Sequence, residues 1–597
     1  MKRFLISFLG TMAGIWLSIL LLFVGFFIVI VAAVASSSST KNSGSIGKNT
    51  VLHLQMSGEI TDRPSTPDLQ QIITGDDSNS QGLNDITGAI LLAARDKNVD
   101  GIFIDCAGAS AGVASLQAIV TALDQFKAIA PEKWIYAYAD SYSQSDYLVA
   151  SAADSIFLNP IGEVDIHGLA SIGMYFKDLM EKVGVQAQVV KVGTYKSAVE
   201  PFLLDSISKP AREQQQLYLS NIWSTLTEII AAGREVTAED VNSWADDMLI
   251  SLDQQTYIEK RIVDSLVYRH DMEQILARKV GKKEANLVNI ADYCNASNIG
   301  KIDRIYSSEP SGKSEATIAV LYATGDITTD GKEGIVSEKL VPEIFDLIDN
   351  DDIDGLIMRV NSGGGSAFAS EQIWHALEQF KEKTGKPFYV SMADYAASGG
   401  YYISCGADKI FAEPTTLTGS IGIFGIMPNA EKLLNDKLGI HTSTVATNPG
   451  SVMLTPYKAL TPAQYAAMQK YVDRGYELFT SRCAEGRGIE QDSIKKIAEG
   501  RVWDGREALR IGLVDELGGL DKAIAAMAEQ LNARNTTIEE YPVLKPDFWS
   551  ILLETGNQLQ TRNLRDRLGP LYPAFKAASE ALENDPLQCR MDYVIIH

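Results

Sequence analysis

The feature that most constrains this chain is that its sequence repeats itself once over several hundred residues. Residues 139–157 match residues 393–411 without a gap, at a separation of 254 residues (393 − 139). The same separation pairs Asp100-Gly101 with Asp354-Gly355, and each pair opens an apolar run. Short solenoid repeats would recur every ~20–50 residues, so a single repeat of this length indicates a duplicated domain.

The length of the chain fits a duplication. A typical domain has ~100–200 residues, and 597 residues are too many for one. We predict homologous domains at 50–305 and 315–540, with a linker around residues 307–312. The sequence of the C-terminal extension, residues 541–597, indicates no role.

Within each domain, short apolar segments alternate with segments of helical spacing. In the second domain the predicted strands are 318–322, 355–360 and 387–391, and the predicted helices are 336–348 and 366–380. Strands that alternate with helices pair in parallel, so the sequence predicts an α/β fold.

A charge-free apolar segment precedes both domains. It runs from residue 4 to residue 35, which is longer than a helix needs to cross a hydrocarbon core of about 30 Å. Lys2 and Arg3 precede it, so the positive-inside rule predicts a cytoplasmic N-terminus and export of the remainder. A cleaved signal peptide is the alternative, because Ala33-Val34-Ala35 resembles a cleavage site, but its apolar part is usually only ~7–15 residues. The sequence favours an uncleaved transmembrane anchor at 1–35 and a flexible linker at 36–49.

Composition argues against several other functions. The chain has 53 Lys and Arg against 76 Asp and Glu, a net charge of −23 and no basic block, so we expect no nucleic-acid partner. Its five Cys and six His are scattered without the close spacing of metal ligands. We therefore predict neither a metal site nor a disulfide framework.

A glycine-rich turn lies between a predicted strand and a predicted helix of the second domain. Its sequence, residues 361–366, is Asn-Ser-Gly-Gly-Gly-Ser. Glycines let backbone N–H groups point into a concavity, and the start of a helix favours negative charge, which together suit an oxyanion hole. A phosphate loop and a plain turn are the alternatives, although the Gly-Lys-Ser/Thr end of a phosphate loop is missing.

A serine among small residues follows the last predicted strand. Ser398 lies between Ala396-Ala397 and Gly399-Gly400, where a peptide could reach its hydroxyl and the Gly399 amide could donate to an oxyanion. The structural alternative is a serine that caps a helix. The Gly-x-Ser-x-Gly elbow is missing, and no His has a spacing that recommends it as a partner.

The first domain contributes a lysine in apolar company. Lys196 lies in the segment 193–202, Gly-Thr-Tyr-Lys-Ser-Ala-Val-Glu-Pro-Phe. Desolvation favours the neutral amine, and a neutral amine can serve as a general base. The alternative is an exposed lysine that lays its apolar stem along the surface.

Five motifs in this order resemble the signal peptide peptidase A (protease IV) family in its long, duplicated, membrane-anchored form. The motifs are residues 193–202, 361–366, 396–402 and 417–422, and the pair 500–503 with 512–515. The resemblance implies tandem Clp-protease/crotonase-like domains, a serine peptidase with a Ser–Lys dyad, and no cofactor. It also implies a ring-like homo-oligomer, a homotetramer, that degrades remnant signal peptides and other membrane-proximal peptides.

The resemblance further implies a place in the cell and a role for each matched residue. The expected place is the bacterial inner membrane, with residues 4–35 in the bilayer and the catalytic domains in the periplasm. The implied roles are a nucleophile at Ser398, a general base at Lys196, a residue that orients the lysine at Ser420, and oxyanion donors at Gly399 and at Gly364 or Gly365. Gly363 departs from the family, which usually has Pro there, and implies a looser turn.

The duplication supports this division of labour independently of the family. The separation of 254 residues places Gln144 at the position of Ser398, and a separation of 255 places Ser451 at the position of Lys196. Each half therefore keeps one component of a dyad and lacks the other, which predicts one site per chain between the domains. The alternatives are a non-catalytic membrane scaffold and a crotonase-like acyl-thioester enzyme.

Overall fold

The computed structural model describes residues 45–64, 81–296, 313–331, 333–543 and 588–591, with six isolated positions between 11 and 25. Apart from those positions, the predicted anchor lies outside the described residues, as does the linker at 307–312, and both stay predictions. Among the residues described, no helix is long and apolar enough to cross a membrane.

The first half forms a parallel sheet covered by helices. Its strands are β1 (Thr50–Thr61), β2 (Gln81–Gly82), β3 (Val99–Ser110), β4 (Trp134–Ala139), β5 (Ser155–Leu158), β6 (Gln186–Lys191), β7 (Ser265–Leu266) and β8 (Asn286–Asn289). Its helices are α1 (Leu83–Arg95), α2 (Val113–Ile129), α3 (Gln144–Ala150), α4 (Lys177–Val183), α5 (Glu200–Leu203), α6 (Lys209–Arg234), α7 (Ala238–Asp246), α8 (Gln254–Glu259), α9 (Arg269–Lys279) and α10 (Ile290–Cys294). The sheet order is β2-β1-β3-β4-β5-β7, with β8 also beside β1.

The second half repeats this plan. Its strands are β9 (Lys313–Thr324), β10 (Ile327–Thr328), β11 (Ile335–Val336), β12 (Gly355–Ser362), β13 (Gly364–Ser366), β14 (Phe388–Ala397), β15 (Lys409–Ala412), β16 (Leu417–Gly419), β17 (Phe424–Asn429), β18 (Val502–Asp504), β19 (Glu516–Leu517) and β20 (Ala533–Tyr541). Its helices are α11 (Ser337–Ile348), α12 (Ala367–Thr384), α13 (Gly399–Ser404), α14 (Pro462–Arg487), α15 (Gln491–Ile497), α16 (Gly505–Arg510) and α17 (Leu520–Gln530). A last strand, β21 (Gln588–Arg590), comes from the C-terminal extension.

The strand orders of the two halves are the same. The first half reads β8-β1-β3-β4-β5-β7 and the second reads β20-β9-β12-β14-β15-β19, with parallel pairing throughout both series. The predicted strands fall within β9, β12 and β14 apart from residue 387, and α11 and α12 cover the predicted helices to within one residue at their starts. The duplication and the α/β class are confirmed.

A third sheet joins the halves. Its order is β11-β10-β13-β21-β17-β6, in which β6 of the first half pairs antiparallel with β17 of the second. The apolar core of the first half also takes in Ala397, Leu417 and Val502 of the second. Elements on both sides of the predicted linker therefore share one sheet and one core, and the candidate residues lie where they meet.

Candidate active site

Ser398 lies at the strained turn between β14 and α13. Its φ of 57° and ψ of −112° place a non-glycine residue where glycine is favoured, a strain typical of functional positions. Ser398 N donates to Gly419 O (2.7 Å), and Tyr402 N donates to Ser398 O (2.9 Å), which holds the turn in place. Ser398 occupies the N-cap position, but its side chain accepts no capping hydrogen bond, so the capping interpretation is wrong for this hydroxyl.

Lys196 reaches Ser398 from the first half. Its Nζ lies 2.8 Å from the Ser398 Oγ, and the two residues are 1% and 0% exposed. The same Nζ donates to Ser420 Oγ (3.0 Å) and Ser420 O (3.1 Å). The surface-lysine alternative is therefore wrong. Removal of the amine from water is the condition stated above for a lysine that serves as a general base.

Close packing against the second half fixes the Lys196 segment. A Cβ added to Gly500, whose φ is +76°, would lie 2.7 Å from the Lys196 Cβ, so only glycine permits this approach. Gln214 links the two segments, because its Nε2 donates to Tyr195 O (2.9 Å) while its Oε1 accepts from Val502 N (3.0 Å). The lysine is thus positioned by residues of both halves.

Ser420 is held as firmly as its neighbours. It is 1% exposed and has a φ of 49°, a second strained non-glycine position beside the first. Its N donates to Arg501 O (2.7 Å) and its Oγ donates to Gly500 O (3.4 Å). With its other contacts on Lys196 Nζ, Ser420 lies where the sequence predicted a residue that orients the lysine.

Of the three predicted oxyanion glycines, Gly364 packs against Gly399, the residue after Ser398, and their amides differ. A Cβ on Gly364 would lie 2.7 Å from Gly399 N, so no larger residue fits there. The Gly364 N–H already donates to Ser362 Oγ (3.1 Å), whereas Gly399 opens α13, where a helix lacks intrahelical partners for its N–H groups. Gly365 lies next to them in β13. Gly363, in contrast, has no atom within 4 Å of where a Cβ would lie.

Several contacts at this site were not predicted from the sequence. Gln214 belongs to no motif, and Ser362 lies in the glycine-rich motif 361–366 without any pattern that predicts its bond to Gly364 N. Residues 588–591 carry no motif, yet Met591 N donates to Gly363 O (2.8 Å). A small cavity beside the lysine is lined by Lys196, Ser420, Gln214, Tyr195, Arg590 and Met591. The C-terminal strand therefore forms part of the wall of the site.

Comparison with known proteins agrees with this arrangement. Peptidase family S49 matches residues 127–283 and 380–534, one match in each half. "Protease 4" of Salmonella typhi is 36% identical over 520 residues, covering 84% of this chain and 81% of the relative. "Putative signal peptide peptidase SppA" of Enterococcus faecium is 31% identical over 236 residues, covering 38% of this chain and 68% of the relative.

One solved structure gives a weak overlap. The ClpP1 N165D mutant from Listeria monocytogenes is 18% identical, covers 34% of this chain and 94% of its own, and has a TM-score of 0.24. That score carries no argument about fold, and the Clp-protease/crotonase-like part of the prediction stays a prediction. The S49 matches together cover just over half of the chain and coincide with the two repeated halves. The chain therefore belongs to peptidase family S49 and is a serine peptidase.

Proposed function

We propose that this chain is a membrane-anchored endopeptidase with Ser398 as the nucleophile and Lys196 as the general base. The observation that carries the proposal is the 2.8 Å contact between Lys196 Nζ and Ser398 Oγ, made by buried side chains from different halves. Membership of a peptidase family favours peptide hydrolysis over both alternatives, the scaffold and the acyl-thioester enzyme.

Acylation begins when the neutral amine of Lys196 accepts the Ser398 hydroxyl proton as Oγ bonds to the scissile carbonyl carbon. The carbonyl oxygen becomes an anion, which the N–H of Gly399 and that of Gly364 or Gly365 would stabilise. Because Gly364 N–H already donates to Ser362 Oγ, Gly399 is the principal donor. The intermediate collapses, the C–N bond breaks, and Lys196 gives its proton to the leaving amine.

Deacylation uses the same groups with water as the nucleophile. Lys196 accepts a proton from water as the water oxygen attacks the ester carbon, and that proton passes to Ser398 Oγ as the acid product leaves. Ser420 acts through the lysine, since its Oγ and O accept hydrogen bonds from Lys196 Nζ at 3.0 and 3.1 Å. These contacts limit the amine to positions that face Ser398.

The proposed substrates are remnant signal peptides and other peptides near the membrane. The apolar segment 4–35 would hold the enzyme at the bilayer, in the bacterial inner membrane with its catalytic domains in the periplasm. The description of the Enterococcus faecium relative as a signal peptide peptidase supports this substrate class. Extraction of the full chain from membranes at alkaline pH, against a chain lacking residues 1–35, tests the anchor, since only the full chain should resist extraction.

We also propose a homo-oligomer, with four subunits by family resemblance. Ile172 and Met174 in the first half and Ile440 and Val445 in the second are exposed apolar side chains, which a subunit interface would remove from water. Light scattering of the detergent-solubilised chain tests this. A monomeric mass for the active enzyme would contradict it.

The decisive experiment measures hydrolysis of a fluorogenic signal-peptide fragment by the full chain in detergent. We expect Ser398→Ala and Lys196→Met each to lower kcat by at least about 10³-fold. When residues act as a catalytic unit, loss of one costs about as much as loss of all. Gln144→Ala, at the matching position of the first half, and Lys182→Met, an exposed lysine on α4, should keep wild-type rates. Wild-type activity in folded Lys196→Met would contradict the assignment of the general base.

A further inference from the structure

The groove beside Ser398 already contains a strand of this chain. β21 lies antiparallel to β13, and its other edge pairs with β17. The register pairs are Gly364 with Arg590, Gly365 with Cys589, and Ser366 with Gln588. The segment thus bridges two strands of the second half as an added strand, which is how extended peptides bind at an open sheet edge.

The carbonyl of Cys589 lies against the glycines that flank the nucleophile. A Cβ added to Gly364 would lie 2.0 Å from Cys589 O, and one added to Gly399 would lie 3.1 Å from the same atom. Gly399 follows Ser398 directly, and Gly364 packs against its amide. A substrate strand on the path of β21 would place a peptide carbonyl at the position of Cys589 O, against Gly364 and Gly399.

The side chains of β21 show what the groove accepts. Successive residues of a strand point to opposite faces. Cys589 and Met591 are buried, at 0% and 5% exposure, in apolar surroundings that include both cores. Arg590 points the other way, and its Nη2 lies 3.0 Å from Asp326 Oδ2. Arg590, the residue directly after the carbonyl of Cys589, thus pairs with the Asp326 carboxylate.

The position of Asp326 is set by its neighbours rather than by Arg590 alone. Asp326 directly precedes β10, which pairs with β13 at Ile327 and Gly365. Its backbone oxygen accepts from Ile335 N (2.9 Å). The carboxylate is about one-third exposed, so a basic side chain of another peptide could pair with it once β21 leaves.

We propose that Asp326 makes this peptidase prefer a basic residue directly after the bond that it cleaves. Arg590 fills that subsite in the closed chain, and the segment 588–591 leaves before a substrate peptide takes its place. The inference rests on the proposed function, because the cleaved bond is defined by the place of Ser398. Asp326 is a specificity residue and takes no part in proton transfer.

The first arm of the test compares peptides that are identical except for Arg, Gln or Glu after the cleaved bond. We expect wild type to cleave the Arg peptide with a kcat/KM about 5- to 10-fold above that of the Gln peptide, as suits a half-buried ion pair. Asp326→Asn should abolish this preference, and Asp326→Lys should favour the Glu peptide. Each preference is the ratio of two kcat/KM values measured on the same preparation of one variant. A fraction of unfolded enzyme lowers both values equally and does not change the ratio. Asp330→Asn, which changes an exposed carboxyl just after β10, should keep the wild-type ratio.

The second arm separates binding from chemistry. Ser398→Ala should bind the Arg peptide about 5- to 10-fold more tightly than the Gln peptide by fluorescence anisotropy, and Ser398→Ala/Asp326→Asn should bind both alike. Arg590→Gln in the otherwise native chain should lower KM for both peptides, because it weakens the competing strand. Equal binding of the two peptides by Ser398→Ala, or an Arg preference that survives Asp326→Asn, overturns the inference. Turnover by Ser398→Ala would instead overturn the proposed function.

Discussion

The turn after β4 in the first half and the turn after β14 in the second differ in backbone as well as in sequence. Helix α3 begins at Gln144 after an ordinary cap, since Ser143 has a φ of −70° and its Oγ accepts from Asp146 N (3.1 Å). Helix α13 begins one position later in the repeat, after Ser398 with its φ of 57°. The first half therefore lacks both the serine and the strain that presents it.

The anion-binding character of this turn persists in the first half, but an internal carboxylate fills it. Asp146 accepts hydrogen bonds from Gly108 N (3.1 Å) and Ala109 N (3.4 Å). Burial raises the pKa of Asp146, and these backbone hydrogen bonds act in the opposite direction. Gly400 stands at the matching position, where a Cβ would lie 2.6 Å from Ser362 O. The second half leaves no room for such a side chain.

The lysine segments differ in burial. Lys196 is enclosed between the halves, whereas its counterpart Ser451 is exposed in a short 3-10 helix (Pro449–Val452). Among the described residues, Lys196 of the first half meets Ser398 of the second. Duplicated domains can thus contribute to one candidate site when each retains the component that lies at their interface.

The largest effect should come from giving the second half the carboxylate of the first. Gly400→Asp would collide with Ser362 O and place a negative charge near the proposed oxyanion. We expect kcat/KM for peptide hydrolysis to fall at least about 10³-fold. Asp146→Asn should leave it unchanged. A Gly400→Asp enzyme within tenfold of wild type would show that the two turns are interchangeable.

Residues 105 and 359 also stand at matching positions in the two halves. We expect the ion pairs that they form to contribute differently to the free energy of unfolding. Arg359 Nε lies 2.8 Å from Asp62 Oδ1, and both side chains are under 5% exposed. The first half has Asp105 in place of Arg359, paired at 3.0 Å with the half-exposed Arg269. Asp62→Ala should lower the free energy of unfolding in denaturant by about 3–5 kcal/mol, because the buried guanidinium of Arg359 then lacks its partner. Arg269→Ala should cost no more than about 1 kcal/mol, and equal losses would contradict the contrast.

A buried carboxyl distinguishes the halves by its response to pH. Burial, and next the charge of Asp521, raise the pKa of Glu413 from 4.5 to about 7, whereas the first half has neutral Asn159 at this position. Above pH 4.5 the unfolded chain loses this proton before the folded chain does. Its contribution to stability is therefore complete below pH 4.5 and is lost as the pH rises through 7.

Glu413→Gln should accordingly gain stability over wild type between pH 4.5 and pH 8, by about 3 kcal/mol on an order-of-magnitude basis. Thermal melts across this pH range measure the difference. Glu338→Gln removes an exposed carboxyl of the same half and should show no such trend. A difference between Glu413→Gln and wild type that is constant with pH would mean that Glu413 titrates normally.

A smaller effect should follow from emptying the anion-binding turn of the first half. Asp146→Ala strands the amides of Gly108 and Ala109, which should cost about 1–3 kcal/mol in chemical denaturation. Peptide hydrolysis at a temperature where the variant is folded should stay within about twofold of wild type. A large fall in kcat with unchanged stability would assign the first turn a part in catalysis.

The smallest effect should come from restoring serine alone. Gln144→Ser in a Ser398→Ala background should recover no peptide hydrolysis, because α3 already includes residue 144 and Asp146 occupies the nearby amides. Mass spectrometry after exposure to a serine-directed phosphonate provides a second readout, and we expect no adduct. Labelling of the new serine would break the contrast between the halves.

Much of the site was predictable because its residues stand in recognisable local patterns. Ser398, Lys196, Ser420 and the glycines were found from motifs, and the decayed equivalents Gln144 and Ser451 came from the repeat. Three things were not predictable: the N–H of Gly364 that is directed to Ser362, the link through Gln214, and β21 in the groove. The last two depend on contacts between segments distant in the chain, and the first depends on a local side-chain orientation that residue spacing does not reveal.

The sequence by itself determined the duplication, the α/β class, and which half holds the candidate serine and which the candidate lysine. Residue identity and hydrophobic periodicity can be read locally along the chain. Only the tertiary structure decided that Lys196 and Ser398, 202 residues apart, lie 2.8 Å from each other. The tertiary structure also decided the strained turn at Ser398, the β6–β17 pairing and the position of residues 588–591. They follow from the packing of two halves against one another, and packing distances are not encoded in any one segment.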